Sequence, residues 1–141
     1  MYAWHLSLTC EQDLEDGTEI RLESVAARKN LRITASGDVD CEGADGKYAT
    51  FEVVRERGQG RFRLVNVGDD RNWLGVDEEG AFAADERDAS EFKAIEEKGF
   101  LALQDTDTDL WLGVKPNGDV FTKAKRNTRV GKKVAFIVHR A

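Results

Sequence analysis

The sequence predicts an all-β protein of one domain, and three observations support that prediction. Apolar residues alternate with polar ones over short runs, as in Ile20-x-Leu22 and Phe136-x-Val138, which is typical of strands with one buried face. Turn-forming residues such as Pro116-Asn117-Gly118 separate these runs, and no apolar stripe with helical spacing is long enough to predict a helix. Finally, one pattern of apolar and glycine markers occurs three times in the same order, which indicates repeated units.

Each unit contains four short segments that we interpret as strands. The first carries an alternating apolar pair, and the second carries a leucine followed two residues later by another apolar residue. The third begins two residues after a glycine, and the fourth contains a phenylalanine. In chain order the markers are Ile20/Leu22, Leu31/Ile33, Gly37/Val39 and Phe51/Val53; Phe62/Leu64, Leu74/Val76, Gly80/Phe82 and Phe92/Ala94; Leu101/Leu103, Leu112/Val114, Gly118/Val120 and Phe136/Val138. The Asn117-Gly118 pair predicts a tight hairpin turn with two positive φ angles.

Twelve short strands in three units fit a β-trefoil, whereas three propeller blades fall short of the usual four or more. We therefore predict a β-trefoil with repeats 18–58, 59–98 and 99–141. We expect residues 1–17 to form an N-terminal extension, in which alternating Tyr2, Trp4, Leu6 and Leu8 indicate an added strand or a cover for an open end of the barrel, with an intermolecular contact as the alternative. The predicted core consists of three triads: Leu31/Leu74/Leu112, Ile33/Val76/Val114 and Phe51/Phe92/Phe136.

Composition excludes several classes of protein. The 141 residues are 40% hydrophobic and 9% aromatic, which argues against a disordered chain. No apolar run approaches the length of a membrane-spanning helix, about 20 residues. Residues 1–10 lack the basic start and continuous apolar core of a signal peptide, so we expect a cytoplasmic protein or one secreted without a leader.

The net charge of −6 is the sum of two opposite parts. Residues 115–141 hold eight basic residues and one acid, a net charge of +7, whereas residues 1–114 hold 13 basic and 26 acidic residues, a net charge of −13. The segment 115–141 is therefore the part of the chain that would attract anions.

Catalytic chemistry finds little support in the sequence. The two histidines, His5 and His139, have no zinc-ligand spacing, and the acidic residues lie in predicted turns. The run from Asp105 to Asp109 offers the first three ligand positions of a calcium loop but lacks its glycine and its bidentate glutamate, so an acidic turn is favoured. We expect no catalytic residue, metal or cofactor.

The two cysteines, Cys10 and Cys41, are too few for a disulfide framework. A single bridge between them remains open as an alternative, and two reduced thiols are the favoured interpretation.

Two of the units resemble known families. The run from Arg71 to Gly80, followed by Glu91-Phe92, is similar to a fascin repeat. The third unit, with Lys115-Pro116-Asn117-Gly118, Lys125-Arg126 and the run from Gly131 to Phe136, resembles the last repeat of fibroblast growth factors. The second resemblance implies that the equivalent asparagine and the basic residues after it bind heparan sulphate. The central repeat lacks the cysteine of growth factors and the first two repeats are acidic, so a receptor-binding surface is not implied.

We therefore predict a monomeric, non-enzymatic module that binds a sulphated or phosphorylated polyanion. The predicted binding residues are Lys115, Asn117, Lys123, Lys125, Arg126, Arg129, Lys132 and Lys133. Three alternatives stay open: a fascin-like module that binds actin filaments, a signalling domain that meets a protein partner through exposed hairpins, and a basic face that only offsets the acidic remainder.

Overall fold

The computed structural model describes residues 14–56, 60–124 and 130–141, and within these ranges the chain is all-β, which confirms the predicted fold class. The strands are β1 (Glu19–Ser24), β2 (Asn30–Ile33), β3 (Val39–Gly43), β4 (Phe51–Val54), β5 (Arg63–Asn66), β6 (Trp73–Asp77), β7 (Gly80–Ala84), β8 (Phe92–Glu97), β9 (Phe100–Asp105), β10 (Leu110–Val114), β11 (Val120–Ala124) and β12 (Phe136–Arg140). Short 3-10 turns at Lys47–Ala49, Glu86–Asp88 and Lys132–Val134 precede β4, β8 and β12. No described segment forms a helix of the length and apolarity needed to cross a membrane.

All strand pairings are antiparallel and join the strands into one sheet. Its main path runs β11-β10-β9-β12-β1-β4-β5-β6-β7, with β2 joined to β1, β3 joined to β2 and β8 joined to β9. One further contact lies outside this path, because Phe62, which immediately precedes β5, forms an isolated bridge with Phe92 at the start of β8. With this bridge included, the pairings follow a circular order through β1, β4, residues 62–66, β8, β9 and β12.

The other six strands form three hairpins, β2–β3, β6–β7 and β10–β11, which contact one another in a cyclic manner. The turn of the first hairpin approaches β7, where a Cβ added to Gly37 would lie 3.8 Å from the Ala83 Cβ. At the end of β6 the Asp77 carbonyl accepts a 2.6 Å hydrogen bond from the Thr122 hydroxyl of β11. The Gly118 carbonyl, in the third turn, accepts a 2.9 Å hydrogen bond from the Cys41 N–H of β3. Each turn therefore rests on the second strand of a different hairpin.

The core contains all nine residues of the predicted triads, each at most 6% exposed and all in one cluster. Phe51, Phe92 and Phe136 are fully buried. The predicted extension adds Leu14, which packs against the same cluster, and Gly17, whose N–H donates to the Val53 carbonyl at 2.7 Å. The predicted strand of Tyr2, Trp4, Leu6 and Leu8 lies outside the described residues.

A buried polar residue ends the first strand of each repeat. Ser24, Asn66 and Asp105 are each at most 3% exposed, and each follows a buried leucine by two residues. Their side-chain oxygens accept hydrogen bonds from the backbone N–H groups of Ala27 (3.0 Å), Gly68 (2.8 Å) and Thr108 (3.2 Å). Because each bond joins the strand end to the loop after it, these side chains fix the path of the chain into the hairpin.

The hairpin turns correct two details of the sequence prediction. Ile33 pairs with Val39 and Val114 pairs with Val120 across five-residue connections, whereas Val76 pairs with Ala81 across only four residues. Because the second turn is one residue shorter, the counterpart of Val120 is Ala81, and Phe82 corresponds to Phe121. The turn before β11 has a positive φ only at Gly118, so the prediction of two positive φ angles for Asn117-Gly118 was wrong.

The corrected alignment reveals a position where the repeats differ. Gly75 pairs with Phe82 and Gly113 pairs with Phe121, and a Cβ on either glycine would lie within 2.5 Å of its partner's ring. In the first repeat the same pair is Arg32 and Asp40, whose side chains form two hydrogen bonds of 2.7 and 3.1 Å. An ion pair therefore replaces the contact between glycine and an aromatic ring.

Candidate functional site

The structure describes five of the eight predicted polyanion-binding residues and places them in two groups. Lys115 and Asn117 lie in the turn between β10 and β11. Lys123 lies near the other end of β11, and Lys132 and Lys133 lie in the 3-10 turn before β12. The other three predicted residues, Lys125, Arg126 and Arg129, lie outside the described residues.

The second group lies close to a buried tryptophan. Lys123 pairs directly with Trp111 across the β10–β11 ladder. Trp111 is 2% exposed and packs in a small cluster with Ala102 and Val134, the last residue of the 3-10 turn that carries Lys132 and Lys133. All three lysines are exposed. We call Lys123, Lys132 and Lys133 the basic face.

The turn that holds Lys115 and Asn117 is separate from the basic face. Val120, at the turn end of β11, precedes Lys123 by three residues, which is about 10 Å of strand. Within the turn the Asn117 amide donates to the Asp119 carboxylate at 3.1 Å, and its oxygen accepts from the Asp119 N–H at 3.0 Å. The Asn117 side chain thus stabilises its own turn, which is docked on β3.

Among the described residues, several cations of the acidic part have a carboxylate partner that the lysines of the basic face lack. Five basic residues of the acidic part pair with carboxylates: Arg28 with Glu23, Arg32 with Asp40, Lys47 with Asp69, Arg63 with Glu86 and Arg71 with Glu52. In the described part of the chain, by contrast, no carboxylate lies within 4 Å of the ammonium group of Lys123, Lys132 or Lys133. One acid borders the face, because the Glu97 carboxylate accepts from the Val130 N–H at 3.2 Å.

A second charged surface was missed by the sequence prediction. A groove of about 530 Å³ runs beside β1 and β12. Its lining residues are Arg21, Glu23, Arg28, Lys29, Asn30, Gly43, Ala44, Asp45, His139 and Arg140. The alternation of β1 already indicated that Arg21 and Glu23 face outward. What the sequence did not show is that the β1–β12 pairing and the Gly43–Asp45 segment bring the other charges beside them.

The acidic run after β9 forms a turn that uses its own first carboxylate. Asp105 is 3% exposed and accepts hydrogen bonds from both the N–H and the hydroxyl of Thr108. Among residues 14–56, 60–124 and 130–141, no three His, Cys, Asp or Glu side chains are grouped to hold a metal ion. The described histidine, His139, lies 2.8 Å from the Glu23 carboxylate through Nε2.

Cys41 carries a free, fully buried thiol in β3, which lies 3.1 Å from the Lys29 carbonyl. Burial raises the pKa of this thiol from its ordinary value of 9.0 to about 11. The thiolate is the reactive form of cysteine, so burial and the raised pKa both lower the reactivity of the Cys41 thiol. Cys10 lies outside the described residues.

We expect Cys41 to resist alkylation by iodoacetamide at pH 8 in the folded protein and to react fully in denaturant. Peptide mass spectrometry assigns the label to Cys41 or Cys10.

The folded protein keeps the Cys41 proton that the unfolded chain loses above pH 9, so this group's contribution to stability falls as pH rises from about 9 to 11. Rapid labelling of Cys41 in the native protein would contradict both statements.

No protein-family model matches this sequence, and a search of curated proteins finds no significant match.

Proposed function

We propose that this chain is a single β-trefoil domain that binds a sulphated or phosphorylated polyanion and catalyses no reaction. Three observations support the fold. Six strands contact one another in a circular order that includes the Phe62–Phe92 bridge, and three hairpins contact one another cyclically. In addition, Ser24, Asn66 and Asp105 are buried at the same position of each repeat, and each accepts a hydrogen bond from a backbone N–H of the following loop, as expected of a threefold repeat.

The observation that carries the binding proposal is the basic face. Three exposed lysines lie on the elements that pack on Trp111, and none has a described carboxylate within 4 Å, so their charges are not already neutralised by such a neighbour. The face flanks residues 125–129, which contain Lys125, Arg126 and Arg129. A polyanion that contacts this segment would release its condensed counterions and accept charge-assisted hydrogen bonds.

The position of the turn at Lys115 and Asn117 refines the proposed site. The Asn117 amide is engaged with Asp119, and the turn lies about 10 Å along β11 from Lys123. The basic face and residues 125–129 therefore form the main site, and Lys115 contributes only to a ligand long enough to reach it.

The test measures binding of heparin and of polyphosphate over a range of salt concentrations. For the triple variant Lys123→Glu, Lys132→Glu and Lys133→Glu we expect at least about a tenfold loss of affinity. The dependence of log affinity on log salt should also become shallower by about two to three units, because each lost contact removes about one.

The control is the triple variant Arg61→Glu, Arg87→Glu and Lys93→Glu, which makes the same change in net charge at exposed positions of the second repeat. The control should keep most of its affinity for both polymers. Equal losses in the two triple variants would show that only net charge matters, and salt-independent binding would also overturn the proposal.

A further inference from the structure

The groove beside β1 and β12 has walls fixed by backbone structure. Arg21 lies directly opposite His139 in the β1–β12 ladder, and Glu23 lies two residues further along β1. The facing wall is fixed by two hydrogen bonds to backbone carbonyls, from the Asn30 amide to Ala44 at 2.7 Å and from the Arg21 guanidinium to Asp45 at 3.1 Å. Because these hydrogen bonds hold the wall in place, less ordering entropy is lost on binding than at a fully mobile surface.

The loop between β1 and β2 holds Arg28 and Lys29 at the edge of the groove. Arg28 has a left-handed φ of 59°, and its N–H donates to the Ser24 carbonyl at 2.8 Å. The Ser24 N–H donates in turn to the Lys29 carbonyl at 2.9 Å, and the Ser24 hydroxyl accepts from the Ala27 N–H at 3.0 Å. The buried Ser24 thus fixes the loop that presents both cations.

Positive charge exceeds negative charge in this groove. Its lining has four permanent cations and two carboxylates, which gives a charge of +2 before His139 is counted. The cations are Arg21, Arg28, Lys29 and Arg140, and the carboxylates are Glu23 and Asp45. Glu23 is shared, because its oxygens lie 3.3 Å from the Arg28 Nε and 2.8 Å from the His139 Nε2. The Glu23 carboxylate is therefore shared between Arg28 and His139, and it does not neutralise the excess positive charge of the groove.

A buried donor without an acceptor gives a second, independent indication that the groove binds an anion. The Arg21 Nε is buried, and no hydrogen-bond acceptor for it is present among the described residues. A buried donor without a protein partner is rare and is commonly satisfied by water, an ion or a ligand. This donor belongs to Arg21, a cation that lines the groove.

We propose that the groove binds a single tetrahedral oxyanion group, the phosphate or sulphate monoester of a small molecule or of one sugar residue. Guanidinium groups suit this ligand because their planar donors bind two oxygens at once. The walls consist of charged side chains and backbone, so an apolar ligand gains little there. The site uses residues of the first repeat and of β12 and does not depend on the basic face.

The experiment titrates the whole protein with inorganic phosphate and inorganic sulphate and follows backbone amide and His139 ring signals by NMR. We expect saturable shifts at Arg21, Arg28, Lys29 and His139. Glucose 6-phosphate and a sulphated monosaccharide then distinguish the two sources of the oxyanion. No saturable shift with any of the four probes, or shifts confined to Lys132 and Lys133, would overturn the proposal.

Two pairs of variants separate this site from general charge effects. Arg28→Gln should weaken phosphate binding at least about tenfold, since it removes a charged hydrogen bond. Glu23→Gln should strengthen binding, because it frees Arg28 and His139 for the ligand. The matched controls are Arg71→Gln and Glu52→Gln, since Arg71 also has a left-handed φ, 47°, and pairs with Glu52 at 3.2 Å.

The controls should bind phosphate as the unchanged protein does, and equal effects in both pairs would refute the site. Arg21→Gln provides a further weakening variant at an ordinary strand position if Arg28→Gln fails to fold. Lys132→Glu with Lys133→Glu should leave binding of inorganic phosphate essentially unchanged, so failure of the groove and failure of the polyanion proposal give different results.

Discussion

Phe136→Ala is expected to lower the free energy of unfolding by about 3–5 kcal/mol, the range typical of truncating a fully buried phenylalanine. Phe136 is fully buried and pairs with Ser24 of β1 and with Leu101 of β9. Its ring therefore fills space where three strands meet, and truncation removes apolar contacts and leaves a cavity. Urea denaturation followed by tryptophan fluorescence measures the loss.

The control is the same truncation at Phe100, which is 37% exposed at the start of β9. Phe100→Ala should cost less than about 1 kcal/mol, since surface substitutions have small effects. Similar losses at the two positions would contradict the assignment of Phe136 to the core. If Phe136→Ala does not fold, the milder Phe136→Leu keeps the comparison with Phe100→Leu measurable.

Asn66→Ala is expected to destabilise the protein by about 2–4 kcal/mol, because it leaves two backbone groups without partners in a buried corner. The Asn66 amide donates to the Tyr48 carbonyl at 2.7 Å, and its oxygen accepts from the Gly68 N–H at 2.8 Å. Thermal and urea denaturation give the change in stability. Hydrogen exchange at the Gly68 amide should also accelerate, since its acceptor is lost.

Asn117→Ala is the matched control, because Asn117 also accepts from a backbone N–H two residues ahead but is exposed. Water replaces its lost hydrogen bonds, so we expect a cost of about 0.5–1 kcal/mol. Equal losses of stability for Asn66→Ala and Asn117→Ala would show that burial does not determine how much the Asn66 hydrogen bonds contribute to the free energy of unfolding.

The fold class and the core followed from the sequence because burial imposes periodicity. Alternation in segments such as Ile20-x-Leu22 identified strands without knowledge of their partners, and the repeated leucine and phenylalanine markers identified residues that prove to be buried. The sequence prediction assigned Phe82 as the counterpart of Val120, and the error has a local cause. A turn that is shorter by one residue shifts every later residue of the strand. Spacing from Gly80 alone did not reveal the length of that turn.

The candidate sites were less accessible to prediction, because they depend on neighbours that are distant in sequence. The charge count identified Lys123, Lys132 and Lys133 but gave no reason to separate them from Lys115 and Asn117. The groove beside β1 and β12 combines residues 21–30 with residues 43–45 and 139–140. Its positive charge lies partly in a region whose net charge is negative, so an average over that region concealed it.

The cyclic contact of the three hairpins has a consequence for how the protein loses its structure. An isolated hairpin is marginally stable in water, and here each turn rests on a strand that belongs to another repeat. Melting of the β10–β11 hairpin removes the Gly118 support from β3 and the Thr122 hydrogen bond from the end of β6. The repeats resemble one another in sequence, yet we expect none of them to fold on its own, and we expect the three hairpins to order and melt as one cooperative assembly.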